Sequence, residues 1–559
     1  MADDRLGLIV EGSLVDGLSA RLDGDQSIED VRVGQFVRII GRKHDYFCLV
    51  TDVRLDATNR DLLADPPQPD DAFTLDVLAG TTAYGALAIQ PMLMLARDGS
   101  DDASVQNGPQ PVRTIPPHFA QVFTAAEADF NRVFGEEADH RFEIGQPLDM
   151  AVPVRLDLTR FVERSNGVFG KSGTGKSFLT RLLLCGTILS GAATNLIFDM
   201  HNEYGSTSQS DGGYQVKGLA PLFGSKVQVY TLDGKSKTTN NGVIRFGLNE
   251  IEIEDIELLA DELRLNTTAV ETAALCEARL GHDWIAKLTD DDAIVAELNE
   301  TVGAHEASIS ALQRKLQMIR RLSFIEPRVS QNDSGLDRLI GALAQKQHVV
   351  LEFGHHSSLL AYMLAANVIT RRIHRVWTER IDESKQGRGP EPPQLMITIE
   401  EAHKFLNSRA ADQTIFGTIA RELRKYNVTL LVVDQRPSGI DDEVLSQIGT
   451  RITCALNDDK DIDAVLAGVS GAGHLRAILA SLDSRQQAMI LGHAVPMPMA
   501  LRTRSYDADF YAWVAQANSK RPASTSVAAA ANAKGWGTDP IAASVKPARS
   551  YNDLFPDDD

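Results

Sequence analysis

Residues 170–177 read Gly-Lys-Ser-Gly-Thr-Gly-Lys-Ser, and this stretch fits the phosphate-binding pattern G-x-x-x-x-G-K-[ST]. Residues 166–169 (NGVF) are typical of the end of a strand, and residues 178–185 (FLTRLLLC) are typical of the start of a helix. In such a strand–loop–helix unit, backbone N–H groups and the positive end of the helix surround phosphate oxygens. The sequence therefore predicts a nucleoside triphosphate site, in an NTPase or in a nucleotide-gated switch.

The positions of this loop have expected contacts with the nucleotide. Lys176 should reach the β- and γ-phosphates and so contribute to catalysis, and the hydroxyl of Ser177 should ligate Mg²⁺. ATP and Mg²⁺ are the predicted cofactors. The full set assigned to nucleotide binding is Gly170, Ser172, Gly173, Thr174, Gly175, Lys176, Ser177 and Phe178.

The length and composition bound the class of protein. A chain of 559 residues is too long for one core, so we expect three or four folding units. No apolar run approaches the roughly 18 residues that a membrane span needs, and the acidic N-terminus does not resemble a signal peptide. The four cysteines are far apart, without metal-type spacing or a disulfide framework. We therefore expect a cytoplasmic protein with no membrane partner.

The net charge of −20 argues against a protein that coats nucleic acid through a generally basic surface. Any contact with nucleic acid must be confined to a local basic strip, such as the bore of a ring. The alternative is that the acidity only keeps the protein soluble.

The pattern of apolar segments changes along the chain and predicts an α/β fold with added parts. From about residue 150, short apolar runs alternate with helical stretches, which favours a parallel sheet covered on both faces. The runs are residues 195–199, 226–232, 348–353, 395–399 and 428–433. The predicted units are a small β-barrel at 1–100, a linker at 101–149, the P-loop ATPase core at 150–249 and 346–515, a helical insertion at 250–345 and a disordered tail at 516–559.

Two acids follow the apolar run at 395–399 and supply candidates for catalysis. An acid just beyond a buried strand can reach Mg²⁺ through its water shell, and a neighbouring acid can orient the attacking water. We assign Glu400 to the metal and Glu401 to the water. After the run at 195–199, Asp199 and Glu203 are further candidates to support the metal.

The run at 428–433 is flanked by two more candidates. Gln435, at its end, could hydrogen-bond the γ-phosphate or the water, although it could also belong to a capped turn before Pro437. Arg424, just before the run, could be an arginine finger that reaches the γ-phosphate bound by a neighbouring subunit. Basic residues are also common at helix C-termini for dipole reasons alone, so both interpretations of Arg424 stay open.

The order of these motifs resembles the HerA family of bacterial and archaeal ATPases, within the broader HerA/FtsK group. The resemblance spans about residues 150–505, the β-rich start resembles the family's N-terminal barrel, and the helical insertion lies where the family has one. The matching segments are GKSGTGKS at 170–177, FDMHNEYG at 198–205, ITIEEAH at 397–403 and RELRKYNVTLLVVDQRPSG at 421–439.

The resemblance implies a RecA-like core in a homo-hexameric ring, with nucleotide sites between subunits and double-stranded DNA passing through a central pore. It also implies a companion protein docked on the barrel end. In archaea the companion is typically the nuclease NurA, in DNA-end resection. In many bacteria it is a nuclease or a sirtuin-like NAD-consuming enzyme, in anti-phage defence.

Two functions follow as hypotheses. The first is an ATP-driven translocase or helicase that moves double-stranded DNA without sequence preference and serves a separate effector, in phage defence or, with a NurA-type nuclease, in resection. The second is an ATP-regulated ring that assembles and activates the effector without processive translocation. A small-molecule kinase is disfavoured, because the chain has no acceptor-site or lid signature.

Overall fold

The structure of the protein is a computed structural model. It describes residues 5–58, 72–78, 82–97, 109–209, 213, 215–236, 241–290, 294–295, 297–298, 305–330, 334–356, 358–408, 415–469 and 471–520. Within this part of the chain, no helix has both the length and the apolar character needed to cross a bilayer.

The N-terminal strands form a closed barrel. The strands are β1 (Arg5–Ser13), β2 (Gly17–Leu22), β3 (Phe36–Ile40), β4 (His44–Ala57), β5 (Ala83–Ala96), β6 (Gln110–Pro111) and β7 (Gln121–Thr124), with helix α1 (Ala72–Leu78) between β4 and β5. Their order is β2-β1-β7-β3-β4-β5, the pairing of β2 with β5 closes the barrel, and β6 extends β5. Alternate residues such as Val37, Ile39 and Val122 fill its interior.

The predicted boundary of the barrel at residue 100 is wrong. Strands β6 and β7 lie in the region assigned to a linker, and β7 completes the barrel by pairing with β1 and β3. The sequence hid this because β7 is only four residues long and follows a stretch rich in turn formers. The described residues between β7 and residue 149 are also structured, with helix α2 (Glu127–Phe134) packed on the barrel through Phe36 and Phe130.

An eleven-stranded sheet forms the core that the sequence predicts to be a P-loop ATPase. Its strands are β8 (Arg141–Pro147), β9 (Val154–Asp157), β10 (Asn166–Phe169), β11 (Thr194–Asp199), β14 (Val227–Thr231), β17 (His348–Glu352), β18 (Leu395–Glu400), β19 (Val428–Asp434), β20 (Thr450–Cys454), β21 (Gln487–Gly492) and β22 (Met499–Thr503). The order is β14-β17-β11-β18-β19-β10-β20-β21-β22-β8-β9. Two short ribbons lie beside it, β12 (Ser208–Gln209) with β13 (Gln215–Val216), and β15 (Phe246–Gly247) with β16 (Ile325–Glu326).

The predicted parallel sheet is confirmed. The strands from β14 to β20 in this order pair in parallel, and the predicted apolar runs all fall on them. Strands β21, β22, β8 and β9 then continue the sheet in antiparallel pairing. Strands β10, β11, β17, β18 and β19 are buried along their whole length, because helices cover both faces of a parallel sheet.

Helices flank the sheet and form the insertion. After α2 they are α3 (Leu158–Val162), α4 (Lys176–Ser190), α5 (Leu219–Phe223), α6 (Ile253–Leu258), α7 (Ala260–Leu263), α8 (Thr267–Leu280), α9 (Trp284–Asp290), α10 (Glu306–Arg320), α11 (Gly335–Ala344), α12 (Leu359–Lys385), α13 (Ile415–Glu422), α14 (Asp442–Gln447), α15 (Asp459–Leu466), α16 (Ala472–Ala480) and α17 (Ala508–Lys520). Helices α6 to α10 lie in the predicted insertion, around buried residues that include Trp284, Leu312 and Leu316.

The predicted start of the tail at residue 516 is also wrong. Helix α17 continues to Lys520, because Phe510 and Val514 bury one of its faces and Trp513 contacts Phe142 of β8. The remainder of the predicted disordered tail, residues 521–559, lies outside the described residues.

Candidate active site

The candidate site lies at the carboxyl edge of the parallel strands, where such sheets bind ligands. Here four neighbouring strands, β17, β11, β18 and β19, end in the buried acids Glu352, Asp199, Glu400 and Asp434. Strand β10 adjoins β19 and leads into the phosphate-binding loop. A cleft of about 650 Å³ adjoins this loop, and Glu400 and Asp434 are among the residues that line it.

The phosphate-binding loop curls tightly between the ends of β19 and β20. The N–H of Gly170 donates to the carbonyl of Asp434 (3.3 Å), and that of Lys171 donates to the carbonyl of Ala455 (3.2 Å). Gly170 has φ +150°, and a Cβ there would lie 2.8 Å from the Cβ of Cys454, so the close approach requires glycine. Gly175 has φ +95° and ends the loop, and α4 begins at the next residue.

Lys176 is poised at the centre of this loop. Its Nζ donates to the carbonyl of Lys171 (2.9 Å), the same oxygen that accepts from the hydroxyl of Thr174 (2.8 Å). Burial lowers the pKa of Lys176, while Cys454 and the nearby carboxylates of Glu401, Asp434 and Glu400 act in the opposite direction. The ammonium group thus lies among acids, on the loop that the sequence predicts to bind phosphate.

The predicted nucleotide-binding residues divide into two groups. Those that line the cleft are Ser172, Gly173, Gly175, Lys176, Ser177 and Phe178. Gly170 and Thr174 are buried at the base of the loop, where they shape it. Phe178 is 39% exposed at the mouth of the cleft.

The two adjacent acids after β18 point to different surroundings because the chain turns between them. Glu401 has φ +49° and ψ +44°, a left-handed conformation that costs energy in a residue other than glycine. Glu400 stays buried at the strand end, where burial and then the neighbouring Asp199 raise its pKa to about 8. Glu401 is more exposed and lines the cleft beside it.

The donor set of the cleft fits Mg²⁺. Ser177 and Glu400 both line it, and the hard oxygen ligands that a hydroxyl and a carboxylate supply suit magnesium. Oε1 of Glu400 accepts a hydrogen bond from Tyr204 (2.8 Å), whereas its buried Oε2 has no hydrogen-bond partner among the described residues. A buried carboxylate oxygen left in this state is suited to a cation or to a water of its shell.

Glu401 and Gln435, which both line the cleft, are in direct contact. The Nε2 of Gln435 donates to Oε1 of Glu401 (2.9 Å), because Glu400 and Val433 are paired on adjoining strands and the following residues of both strands therefore lie side by side. His403 donates its backbone N–H to Oδ2 of Asp434 (2.7 Å), and its Nδ1 lies 3.0 Å from the same oxygen.

Glu401, His403 and Asp434 also bring potential ligand atoms within 4.8 Å of one another. Asp434 already accepts from His403 and from the N–H of Arg436 (2.7 Å), and Glu401 accepts from Gln435. These bonds hold the turns after β18 and β19 together, so this cluster is less suited to Mg²⁺ than Ser177 with Glu400.

The backbone of Arg424 lies away from these residues. It is part of the short helical turn Leu423–Tyr426, which precedes β19 and is therefore at the opposite edge of the sheet from the phosphate-binding loop. A second cleft of about 370 Å³ lies at that edge, lined by basic side chains that include Arg164, Arg421 and Lys425.

The role expected for Asp199 differs in the structure. Its buried carboxylate accepts the backbone N–H groups of Glu203 (2.7 Å), Tyr204 (2.7 Å) and Gly205 (3.2 Å), so it shapes the loop after β11 and does not face the cleft. Burial raises its pKa to about 7. Glu203 does line the cleft.

Sequence reasoning missed Tyr204 and Asp434. Tyr204 is fully buried and bonds Glu400 from a different strand, a contact between residues far apart in the chain that no local pattern reveals. Asp434 could have been found, because it is an acid at the end of an apolar strand and directly precedes Gln435.

Comparisons with known proteins indicate a family. The family model described as "Helicase HerA, central domain" matches residues 142–373. The DNA double-strand break repair helicase HerA of Pyrococcus furiosus is 23% identical over 419 residues, which cover 69% of this chain and 73% of the relative. The probable DNA double-strand break repair helicase HerA of Methanocaldococcus jannaschii is 25% identical over 389 residues, which cover 64% of this chain and 74% of the relative.

Solved structures are more distant. VirB4 of Thermoanaerobacter pseudethanolicus is 14% identical, with a TM-score of 0.44 and coverage of 67% of this chain and 99% of VirB4.

Proposed function

This chain belongs to the HerA family of P-loop ATPases, and from that premise we propose that it couples ATP hydrolysis to movement along double-stranded DNA. The observation that supports the motor chemistry best is the cleft itself. It brings together the phosphate-binding loop, a buried acid, a second acid that is held by Gln435, and a lysine among them. These are the parts that phosphoryl transfer to water requires.

The residues divide the chemistry among them. The loop N–H groups and Lys176 hold the triphosphate and neutralise charge on its oxygens. Mg²⁺, held by Ser177 and by Glu400 directly or through water, would supply further neutralisation of that charge. Glu401 accepts a proton from the attacking water and orients it, and the hydrogen bond from Gln435 sets the direction of the Glu401 carboxylate.

Phosphoryl transfer also benefits from an arginine that neutralises charge on the γ-phosphate, and we propose that a second subunit supplies it. The basic cleft beside Arg424 lies at the opposite edge of the sheet from the nucleotide cleft, so a head-to-tail arrangement of subunits would bring one against the other. Closure of such a heterologous contact makes a ring. We propose a homo-hexamer in which Arg424 acts on the neighbour's nucleotide.

DNA is proposed to pass through the centre of this ring without sequence preference. The net charge of −20 supports a local contact strip, because an acidic outer surface repels the phosphate backbone.

A separate effector, a nuclease or a NAD-consuming enzyme, is proposed to dock on the barrel, and the pathway is proposed to be bacterial anti-phage defence. Large apolar side chains on the barrel support a docked partner, since Val15 is 85% exposed, Leu55 84% and Phe119 69%. A NurA-type nuclease in DNA-end resection is the alternative within the same scheme.

The second candidate function is a ring that organises the effector, with ATP as a regulator. The same exposed apolar residues favour it, because partner binding alone would explain them. Under this hypothesis the complex with the effector survives the loss of hydrolysis.

The deciding experiment is ATP hydrolysis with and without double-stranded DNA, in the native chain and in Glu401→Gln. We expect DNA to stimulate hydrolysis by the native chain. The variant should bind ATP normally but lose at least about 100-fold in kcat, the scale expected when a general base is removed. Hydrolysis that no DNA substrate affects would contradict the translocase and favour the ring that organises an effector.

A further inference from the structure

We propose that Tyr204 is a positioning residue for the reaction: its hydroxyl holds one oxygen of the Glu400 carboxylate and leaves the other for Mg²⁺ or a water of its shell. This inference rests on the proposed role of Glu400 toward Mg²⁺. It adds a residue to which the sequence assigned no function.

The contact between the two side chains is buried and directional. Tyr204 is fully buried, and its hydroxyl donates to Oε1 of Glu400 over 2.8 Å. This bond occupies Oε1. The other carboxylate oxygen, Oε2, has no hydrogen-bond partner among the described residues. Tyr362 fixes the backbone on both sides of this side chain, since its hydroxyl donates to the carbonyl of Glu400 (3.1 Å) and lies 3.2 Å from its N–H.

Tyr204 is itself held in place by several independent contacts. Asp199 accepts its backbone N–H, and the Arg181 guanidinium lies 5.7 Å from the centre of its ring. The next residue, Gly205, packs so closely that a Cβ there would lie 2.4 Å from Oε1 of Glu352. The tyrosine hydroxyl therefore approaches Glu400 from a rigid loop, which is what accurate orientation of a ligand requires.

The same loop also forms part of the cleft wall. Glu203 lines the cleft, and Arg181 of the phosphate-binding helix donates to the backbone carbonyl of Glu203 through Nε (3.0 Å) and Nη2 (2.6 Å). Helix α4, the loop after β11 and Glu400 are thus joined in one series of contacts.

A purely structural role for Tyr204 makes a different prediction. If the ring only fills space, phenylalanine can replace it, and the sole cost is a small change in stability. If the hydroxyl orients Glu400, its removal weakens the response to magnesium and leaves nucleotide contacts with the loop unchanged.

The test compares Tyr204→Phe with the native chain at varied Mg²⁺. We expect the magnesium concentration for half-maximal hydrolysis to rise about tenfold, the scale of one hydrogen bond to a charged acceptor. The KM for ATP at saturating magnesium should stay within a factor of about two. A second readout needs no turnover: Mg²⁺ with a non-hydrolysable ATP analogue should raise the Tm of the variant less than that of the native chain, whereas the analogue in EDTA should raise both equally.

Tyr230→Phe is the matched control. Tyr230 is also a buried tyrosine at a strand of this sheet, but its hydroxyl donates to Gln228 and not to an acid of the cleft. We expect this variant to keep the native magnesium response.

The Glu400→Gln variant separates the inference from its premise. If Glu400→Gln shifts the magnesium response and Tyr204→Phe does not, the positioning role is wrong while the metal assignment stands. If neither variant shifts it, the metal role of Glu400 is wrong and the inference fails with it. Tyr204→Phe added to Glu400→Gln should produce no further shift. A Tyr204→Phe protein that cannot fold would overturn the proposal, because the hydroxyl would then be a structural requirement.

Discussion

Some ionisable side chains at the ends of the sheet's strands are buried, where a charge is unfavourable. His348, the first residue of β17, is buried, and its Nδ1 accepts the backbone N–H of Asn195 (3.1 Å). Burial, and to a lesser extent Lys226, lower the pKa of this imidazole to about 3. The native protein therefore keeps His348 neutral over a range in which the unfolded chain binds a proton.

This depressed pKa predicts a loss of stability in acid. Below about pH 6.5 the unfolded chain protonates His348 and the native chain does not, so its contribution is present above that pH and declines as the pH falls toward the folded value. At pH 5 the loss relative to pH 7 should be about 2 kcal/mol. Urea unfolding at both pH values measures it in the native chain and in His348→Gln.

In His348→Gln this part of the pH dependence should vanish, since glutamine accepts a hydrogen bond but does not titrate in this range. An identical decline in both proteins would mean that His348 is not its source.

At the scale of elements, one ion-pair network attaches the helical insertion to the ATPase core. Arg371 of α12 donates to Asp255 of α6 through Nη2 (2.7 Å), and Asn367 donates to the same carboxylate (2.7 Å). Asp255 is fully buried, and burial raises its pKa while Arg371 lowers it. The carboxylate depends on these partners because a buried charge without them is costly.

Replacement of Arg371 should therefore loosen the insertion. We expect Arg371→Met to reduce the free energy of unfolding by about 3 kcal/mol, the cost of leaving a buried carboxylate without its charged partner. Hydrogen exchange of α6 to α10 should increase more than that of the sheet. Denaturant unfolding measures the change in stability, and hydrogen exchange of the folded protein measures the loosening of α6 to α10.

Arg375→Met is the matched control, since Arg375 is on the same helix, pairs with Glu252 and is 43% exposed. Its loss should cost less than about 1 kcal/mol, as for surface pairs. Equal losses in the two variants would show that the network has no special role in attachment.

At the scale of the whole molecule, the turn that follows β19 beside the nucleotide cleft is connected to the barrel by a series of contacts. The hydroxyl of Ser438 donates to Asp461 of α15 (2.6 Å), and Arg476 of α16 pairs with Asp459 of α15 (2.8 Å). Ile478 of α16 then packs against Gly34 of the barrel. This series of contacts gives the nucleotide cleft a physical connection to the domain on which a partner is proposed to dock.

The proposed ring makes a specific prediction about mixed assemblies. Arg424→Ala and Lys176→Ala should each abolish hydrolysis alone. When the two are unfolded and reassembled together in equal amounts, about a quarter of the sites should combine an intact loop with an intact neighbouring arginine. Steady-state hydrolysis of the mixture measures the recovery.

Lys176→Ala mixed with Glu401→Gln is the control, because both residues belong to the nucleotide cleft of the same subunit and their mixture should regain nothing. If the first mixture recovers no hydrolysis although its assemblies are shown to contain both variants, Arg424 does not act in the neighbour's site.

Local patterns were enough to predict the phosphate-binding loop, the strands that carry the acids and the parallel sheet. Each depends on neighbours in sequence: glycines for the tight loop, a continuous apolar run for a strand buried on both faces, and an acid where that run ends. Glu400, Glu401 and Gln435 could be selected for this reason. The barrel boundary and the end of α17 were predicted wrongly, since a four-residue strand and a helix with one buried face depend on partners far away in the chain.

The sequence by itself determined that this chain binds a nucleotide on a parallel α/β sheet, because the loop and its flanking strand and helix form from local contacts. Only the tertiary structure decided how the acids differ. The left-handed turn at Glu401, the hydroxyl of Tyr204 and the amide of Gln435 come from three separate strands or loops, and they meet only when β11, β18 and β19 lie side by side. Orientation and burial of a side chain are set by what packs against it, and residues distant in sequence supply that packing.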